Sequence, residues 1–153
     1  MEYKFLGSTG IRVSQLCMGT MTFGNEADKT ESAAMYNRCR DAGINFFDCA
    51  NVYSQGKAEK ILGDLISGSR DELVITSKVW GQMGTDINAK GSSRRNIIAS
   101  LEASLRRLNT SYIDIYFLHR FDPHTALEET LATLDVLVTQ GKIRYIGASN
   151  FAA

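Results

Sequence analysis

Five short apolar runs alternate along the sequence with longer segments that have helical periodicity. The runs cover residues 16–20, 44–47, 73–77, 113–118 and 143–148. Nearly continuous apolar runs of this length are typical of strands that are buried on both faces of a parallel sheet. They begin about 30 residues apart, with one longer gap before the fourth, which is the period of βαβ units. The sequence therefore predicts an α/β fold with five parallel strands in a single domain, residues 1–153.

The segments between the runs carry helix signals of their own. The first helix, residues 30–42, has a weak apolar pattern, but Thr30 can cap its start and Gly43 suits the left-handed position past its end. Ser92 or Ser93 can cap the third helix. Apolar side chains recur at helical spacing in the other three helices, at Ala58, Ile61, Leu62 and Leu65, at Ile97, Leu101, Leu105 and Leu108, and at Leu127, Leu131, Leu134 and Val138.

Two stretches lie outside this alternation. Residues 3–5 and 11–13 flank a glycine-containing turn at residues 7–10, which predicts a short N-terminal hairpin. Residues 80–92 form a long irregular segment with three glycines. Because it follows a strand, we expect it to be a βα loop on the face where α/β proteins keep their functional sites.

The composition is that of a globular protein without a charge bias. Of the 153 residues, 44% are apolar and 22% are charged, with 17 basic and 17 acidic side chains. A neutral chain has no long-range attraction to nucleic acid or to an anionic membrane, so neither is expected as a partner. Arg94, Arg95, Arg106 and Arg107 lie on one predicted helix. We expect them to form a solvated face.

The sequence predicts a cytoplasmic protein. No window approaches 18 consecutive apolar residues, and the N-terminus lacks the basic and apolar regions of a signal peptide. Cys17, Cys39 and Cys49 are odd in number and widely spaced. They are therefore interpreted as reduced intracellular thiols and not as a disulfide framework.

Two architectures fit five parallel strands. One is an open, doubly wound sheet, and the other is part of a (β/α)8 barrel, which needs about 250 residues when complete. A doubly wound nucleotide-binding sheet would have a glycine-rich turn after its first strand. Residues 18–24 contain no GxGxxG motif, and the next helix begins several residues later. The strand pattern alone leaves both architectures open.

Four polar side chains follow or end three consecutive strands. Asp48 comes directly after the second strand and Tyr53 lies five residues on, while Lys78 and His119 come at the ends of the third and fourth strands. In a barrel, adjacent strand ends converge on one mouth, so these side chains could meet there. Each residue alone has an ordinary structural explanation, but their joint occurrence at three strand ends favours a site.

These four residues have the chemistry needed to reduce a carbonyl. The reaction needs a hydride and a proton for the developing alkoxide, and a free tyrosine is too weak an acid to give that proton efficiently at neutral pH. Lys78 would stabilise the phenolate of Tyr53, and Asp48 would hold Lys78 charged and in place. His119 would donate a hydrogen bond to the carbonyl oxygen. The sequence thus predicts Tyr53 as the general acid in reduction.

Several segments resemble the aldo-keto reductase family. They are residues 44–53 (INFFDCANVY), followed by 56–59 and 62–63, then 76–78, 100–108, 112–119 and 141–151. The likeness extends over essentially the whole chain, and residues 57–59 and 93–95 are most similar to the bacterial and potassium-channel β-subunit branch. The resemblance implies the N-terminal portion of a (β/α)8 TIM barrel, comprising the hairpin, strands one to five and helices one to four.

The resemblance also implies roles for individual residues. The family's catalytic tetrad of Asp, Tyr, Lys and His corresponds to Asp48, Tyr53, Lys78 and His119, with none substituted. Residues expected to contact the nicotinamide end of the cofactor are Gly19, Thr20, Met21, Asp48, Ser149 and Asn150. Residues around the mouth that would shape a substrate pocket are Phe23, Trp80 and Arg120. The expected cofactor is NADPH, with NADH as the alternative, and no metal is expected.

The expected function is NAD(P)H-dependent reduction of aldehydes or ketones to alcohols. A cofactor-sensing regulatory subunit, like the channel β-subunits, and an inactive half-barrel are the alternatives. The family's barrel has three more strands, and five strands alone leave two unpaired edges and an uncovered apolar face. The expected outcomes are self-association or a companion fragment that completes the barrel, or a longer natural chain of which these residues are one part. A small carbonyl compound is the expected substrate.

Overall fold

The computed structural model describes residues 1–152 and contains seven strands and four α-helices. Short 3-10 helices cover Tyr53–Gly56 and Arg70–Glu72. The longest helix has 15 residues, and none in the described part of the chain is long and apolar enough to cross a membrane. The elements are β1 (Tyr3–Phe5), β2 (Arg12–Ser14), β3 (Met18–Gly19), α1 (Lys29–Asp41), β4 (Phe46–Asp48), α2 (Lys57–Ile66), β5 (Val74–Val79), α3 (Arg94–Leu108), β6 (Ile113–Leu118), α4 (Leu127–Thr139) and β7 (Ile143–Ala148).

The order of the strands separates the two architectures that the sequence left open. The main sheet has the order β3-β4-β5-β6-β7, and each strand is parallel to the one before it. A doubly wound sheet reverses its strand order at a switch point. Strands that follow one another in sequence order are the arrangement of a (β/α)8 barrel. Residues 1–152 therefore form the first five strands of a barrel-type sheet.

The two faces of the sheet are covered differently. The larger hydrophobic cluster joins the outer face to the helices and includes Phe47, Ile75, Leu62, Leu101 and Leu134. The smaller cluster contains strand and hairpin residues but no helical ones. The helices therefore all pack on one face, and the opposite face is the interior side of the barrel.

The N-terminal hairpin, β1 and β2, closes the N-terminal end of this interior. Val13 packs in the smaller cluster with Val74 and Ile115. The backbone N–H of Ser14 donates to Oδ1 of Asn45 at 2.8 Å. The hydroxyl of Tyr145 on β7 donates to the carbonyl of Thr9 at 2.9 Å. The hairpin thus contacts the sheet beside β4 and at the outer strand β7.

The predicted boundaries agree with the structure for two of the five strands, while the third prediction, residues 73–77, ended two residues before β5 does. The fourth and fifth predicted strands coincide with β6 and β7. The first prediction, residues 16–20, was too long, because only Met18–Gly19 pairs with β4. The helix-start prediction at Thr30 was wrong, because Asp28 accepts from the N–H of Glu31 and the side chain of Glu31 accepts from the N–H of Asp28. This reciprocal capping box defines the start of α1.

Arg107 corrects the expectation of a fully solvated basic face on α3. Its Nε donates to Oε2 of Glu59 at 2.6 Å, and the carboxyl group of Glu59 is fully buried. The other oxygen of Glu59 accepts from the hydroxyl of Ser77 on β5 at 2.5 Å. One buried carboxylate therefore ties α2 to both α3 and β5. A buried charge is stabilising only when it is paired and hydrogen-bonded in this way.

We predict that replacing Glu59 with alanine lowers the free energy of unfolding by about 3–5 kcal/mol, the usual effect of breaking a buried ion pair. The change leaves Arg107 and Ser77 without their acceptor. Urea unfolding followed by circular dichroism measures the effect. The control is Glu72→Ala, which removes an ion pair with Arg40. The side chain of Glu72 is 67% exposed, so this substitution should lower the free energy of unfolding by less than about 1 kcal/mol. Equal effects of the two substitutions would contradict this role of Glu59.

Candidate active site

The ammonium group of Lys78 lies at the centre of the predicted site. Its Nζ donates to Oδ2 of Asp48 at 2.6 Å, to the carbonyl of Cys49 at 2.8 Å and to the hydroxyl of Tyr53 at 3.2 Å. An ammonium has three N–H donors, and these three contacts use all of them. The side chain of Lys78 is only 9% exposed. The structure therefore brings Asp48, Tyr53 and Lys78 together and fixes the lysine in one position.

The register between β4 and β5 explains this arrangement. Asp48 is the last residue of β4 and pairs with Thr76 of β5. The hydroxyl of Thr76 donates to Oδ1 of Asp48 at 2.6 Å, so both carboxylate oxygens have a partner. Because side chains alternate along a strand, Thr76 and Lys78 point to the same face. Thr76 therefore orients the carboxylate that orients the lysine.

A tight turn places Tyr53 beside Lys78. Ser54 and Gln55 directly after it have φ angles of +48° and +54°, and Gly56 has +87°. Non-glycine residues rarely adopt positive φ, and such strain is characteristic of functional sites. The hydroxyl of Ser54 donates to the carbonyl of Phe23 at 2.8 Å and fastens the turn to the loop after β3.

His119 lies directly after β6 and faces Tyr53. The two rings are 6.2 Å apart between centroids and meet edge to face at 83°. The backbone N–H of His119 donates to the carbonyl of Val79 at 2.9 Å, which sets the residue at the end of β5. Partial burial and the nearby charge of Lys78 lower the pKa of His119 below its usual 6.5. The imidazole is therefore neutral at pH 7 and has one N–H to donate.

The model of the Aldo/keto reductase family matches residues 15–153. The chain belongs to the aldo/keto reductase family. The solved structure of the aldo-keto reductase AKR11C1 from Bacillus halodurans (holo form) superposes with a TM-score of 0.88 and 31% sequence identity, over 99% of this chain and 51% of that one.

Two plant proteins and one bacterial protein are among the curated relatives of the chain. The chain is 42% identical to a probable voltage-gated potassium channel subunit beta of Oryza sativa subsp. japonica and 41% identical to one of Arabidopsis thaliana, over all of this chain and 48% of each relative. It is 38% identical to the uncharacterized oxidoreductase YrpG of Bacillus subtilis (strain 168), over 99% of this chain and 50% of that protein. The chain thus spans about half the length of these relatives and forms a partial (β/α)8 barrel.

Apart from Asp48 on β4, the residues that the family resemblance assigns to the cofactor lie at the two outer strands of the sheet, β3 and β7. Gly19 ends β3, and a Cβ built on it would meet no atom within 4 Å among residues 1–152, so the space beside it is open. Thr20 is buried and donates its hydroxyl to the carbonyl of Asp48 at 2.9 Å, whereas Met21 is exposed. In this turn, Gly19 and Met21 therefore present surface to a ligand, whereas Thr20 does not.

The other cofactor candidates follow β7. Nδ2 of Asn150 donates to the carbonyl of His119 at 2.9 Å and to Oγ of Ser149 at 3.0 Å. Asn150 has a φ of +56°, a left-handed conformation that asparagine tolerates. These contacts leave the amide oxygen of Asn150 as an acceptor and the hydroxyl proton of Ser149 as a donor, which is the pair that a carboxamide group requires. The residues present therefore fit a nicotinamide carboxamide.

The three residues expected around the substrate pocket differ in their exposure to solvent. Phe23 has no exposed surface and packs in the larger hydrophobic cluster, so the expectation that it lines the pocket was wrong. Trp80 is partly exposed directly after β5. Arg120 is exposed directly after His119, with its guanidinium carbon 5.7 Å from the centre of the Trp80 ring.

Sequence reasoning missed two residues of the site. Thr76 could have been found, because it lies two positions before Lys78 on one strand and so shares its face. Lys90 places its Nζ 5.1 Å from the centre of the Trp80 ring. It lies in the irregular loop of residues 80–92, where no periodicity predicts which side chains return to the strand end. Only the loop's folded path, closed by the N–H of Gly91 donating to the carbonyl of Trp80 at 2.8 Å, brings it there.

We predict that His119 titrates below pH 6.5 in the folded protein, because burial and Lys78 disfavour its charged form. The sequence has two histidines, so proton NMR resolves each, and His119→Gln assigns the signal. Because the unfolded chain binds this proton more tightly, the free energy of unfolding should fall as pH decreases from 6.5 toward the lower folded-state pKa. A midpoint at or above 6.5 would show that the attraction of Asp48 dominates.

Proposed function

We propose that this protein reduces aldehydes or ketones to alcohols with a nicotinamide cofactor and that Tyr53 is the proton donor. NADPH is the expected cofactor and NADH is the alternative. The observation that carries the proposal is the direction of one hydrogen bond. Because Lys78 donates to the hydroxyl oxygen of Tyr53 at 3.2 Å, the proton of that hydroxyl remains free for another acceptor. The carbonyl oxygen of a substrate is the acceptor that the chemistry of the site favours.

The reaction adds one hydride and one proton to the carbonyl group. A reduced nicotinamide held by Gly19, Ser149 and Asn150 would supply the hydride to the carbonyl carbon. Tyr53 gives its hydroxyl proton to the oxygen, which becomes the alcohol, and Lys78 stabilises the resulting phenolate. Tyr53 then takes a proton back from solvent. In the reverse direction the phenolate acts as the base.

His119 and Asp48 support this transfer without giving up a proton. Neutral His119 donates its N–H to the carbonyl oxygen and orients it toward Tyr53, as oxyanion donors do. Asp48 accepts from the ammonium of Lys78 at 2.6 Å and holds it beside Tyr53. Gly19, Ser149 and Asn150 would bind the nicotinamide end of the cofactor, and the open space beside Gly19 supports that role.

A cofactor-sensing regulatory subunit is the second candidate. It is favoured by the two plant relatives, whose names are probable voltage-gated potassium channel subunit beta. Such a protein would bind cofactor and a partner protein with little turnover. The neutral His119 beside Tyr53 favours the reductase, because a binding protein needs no hydrogen-bond donor for a carbonyl there. Tight NADPH binding, without turnover of any aldehyde or ketone, would favour the regulatory function.

We predict that Tyr53→Phe lowers kcat for the reduction of an aromatic aldehyde by about 10²–10⁴-fold, the contribution of a general acid. The assay follows NADPH consumption by the protein. The matched control is Tyr145→Phe, which removes a tyrosine hydroxyl bonded to Thr9 at the other end of the barrel and should keep kcat within about twofold. Unchanged turnover in Tyr53→Phe would remove Tyr53 from the mechanism.

The same turnover assay, together with a measurement of NADPH binding, tests the half-barrel alternative. Both measurements are made on the 153-residue chain and on a fusion of this chain with strands six to eight of the Bacillus subtilis relative. Turnover by the fusion alone would assign activity to the completed barrel. NADPH binding by neither preparation would favour an inactive half-barrel and would contradict the proposed function.

A further inference from the structure

Two cations lie beside the indole ring of Trp80 next to the catalytic groups. The Nζ of Lys90 is 5.1 Å and the guanidinium carbon of Arg120 is 5.7 Å from the centre of the ring. We call Trp80, Lys90 and Arg120 the Trp80 rim. Both contacts are within the range of cation–π attraction, which holds the two charges near the ring.

Neither cation of the rim forms an ion pair in the described part of the chain. No carboxylate oxygen among residues 1–152 lies within 4.0 Å of a side-chain nitrogen of Lys90 or Arg120. By contrast, Arg95 nearby pairs with Asp86 at 3.2 Å. Asp48, the carboxylate of the catalytic group, is already paired with Lys78. Both cations of the rim are therefore available to pair with a ligand carboxylate.

The rim lies where a substrate would approach. Trp80 follows the end of β5 two residues after Lys78, and Arg120 directly follows His119 at the end of β6. Strands β5 and β6 are neighbours in the sheet. A carbonyl compound whose oxygen contacts Tyr53 and His119 would thus extend its remaining part toward the indole and the two cations.

We propose that the Trp80 rim selects carbonyl substrates that carry a carboxylate on an apolar or aromatic body. This inference rests on the proposed function, since it specifies the substrate class of the same site. The guanidinium of Arg120 presents paired N–H donors that match a carboxylate, and Lys90 adds a second charge. The face of Trp80 packs against the apolar body. Lys90 and Arg120 are therefore specificity residues and take no part in proton transfer.

The first test needs no turnover, because Trp80 is the single tryptophan of the sequence and its fluorescence reports on the rim. Benzoate and its neutral analogue benzamide are titrated against the protein. Benzoate should bind at least about fivefold tighter, as expected for two exposed charge pairs, and added salt should reduce the difference. Equal affinity for the two probes would overturn the proposal.

Variants assign the preference to the rim. Lys90→Gln and Arg120→Gln should each reduce the benzoate preference by about two- to fivefold. The matched control is Arg144→Gln, which removes another arginine that lies over an aromatic ring. Arg144 is near the N-terminal end of β7, and its guanidinium carbon is 4.4 Å from the centre of the Tyr112 ring. The preference should persist in this control. Equal loss in Arg144→Gln and Arg120→Gln would show a nonspecific effect of net charge and would contradict the proposal.

A kinetic comparison separates this inference from the proposed function. The substrates are 4-carboxybenzaldehyde and its neutral methyl ester, and the measured quantity is the ratio of their kcat/KM values. Reduction of both at equal kcat/KM would overturn the inference and leave the reductase intact. Reduction of neither would contradict the proposed function, while the fluorescence titration still decides the anion preference. Loss of NADPH affinity in Arg120→Gln, with benzoate binding unchanged, would assign the rim to the cofactor and overturn the inference.

Discussion

The buried ammonium of Lys78 is the interaction on which the geometry of this site depends. A charge with so little exposure is tolerated only if its donors are satisfied, and the protein satisfies them with Asp48, the carbonyl of Cys49 and the hydroxyl of Tyr53. Two of these acceptors end or follow β4, and the third belongs to the turn after it. The requirement to satisfy one cation therefore fixes the strand register, the loop path and the orientation of the tyrosine together.

The rest of the fold keeps these elements from moving apart. The buried carboxylate of Glu59 joins α2 to β5 through Ser77 and to α3 through Arg107, close to the turn that carries Tyr53. At the opposite end, the hairpin fills the interior and bonds to Tyr145. The C-terminal strand ends carry the strained turn, the free charges and the functional groups, which is the usual division of labour in barrels.

Much of this could be predicted from sequence because the determining signals are local. The strands Ile113–Leu118 and Ile143–Ala148 were predicted to the residue. The fully buried strand Val74–Val79 was predicted as residues 73–77, because the polar Ser77 and Lys78 interrupt its apolar run. Three of the four catalytic candidates are joined by hydrogen bonds, because Asp48 and Lys78 lie at neighbouring strand ends and the turn after β4 returns Tyr53 to them. Phe23 and Lys90 were misjudged or missed for the same reason: both lie in irregular loops, where periodicity says nothing about side-chain direction. The pairing of Arg107 with Glu59 depends on packing between two helices that no single-helix pattern contains.

The measurement that tests this account most directly is a double-mutant cycle of Lys78→Met and Tyr53→Phe on kcat/KM for aldehyde reduction. If Lys78 acts by supporting proton transfer from Tyr53, removing both should cost little more than removing Tyr53 alone, because groups that act as a unit are strongly non-additive. We predict that kcat/KM of the double variant lies within about threefold of kcat/KM of the less active single variant. A double loss equal to the product of the two single losses would show that the residues act independently and would contradict the central role given to their hydrogen bond.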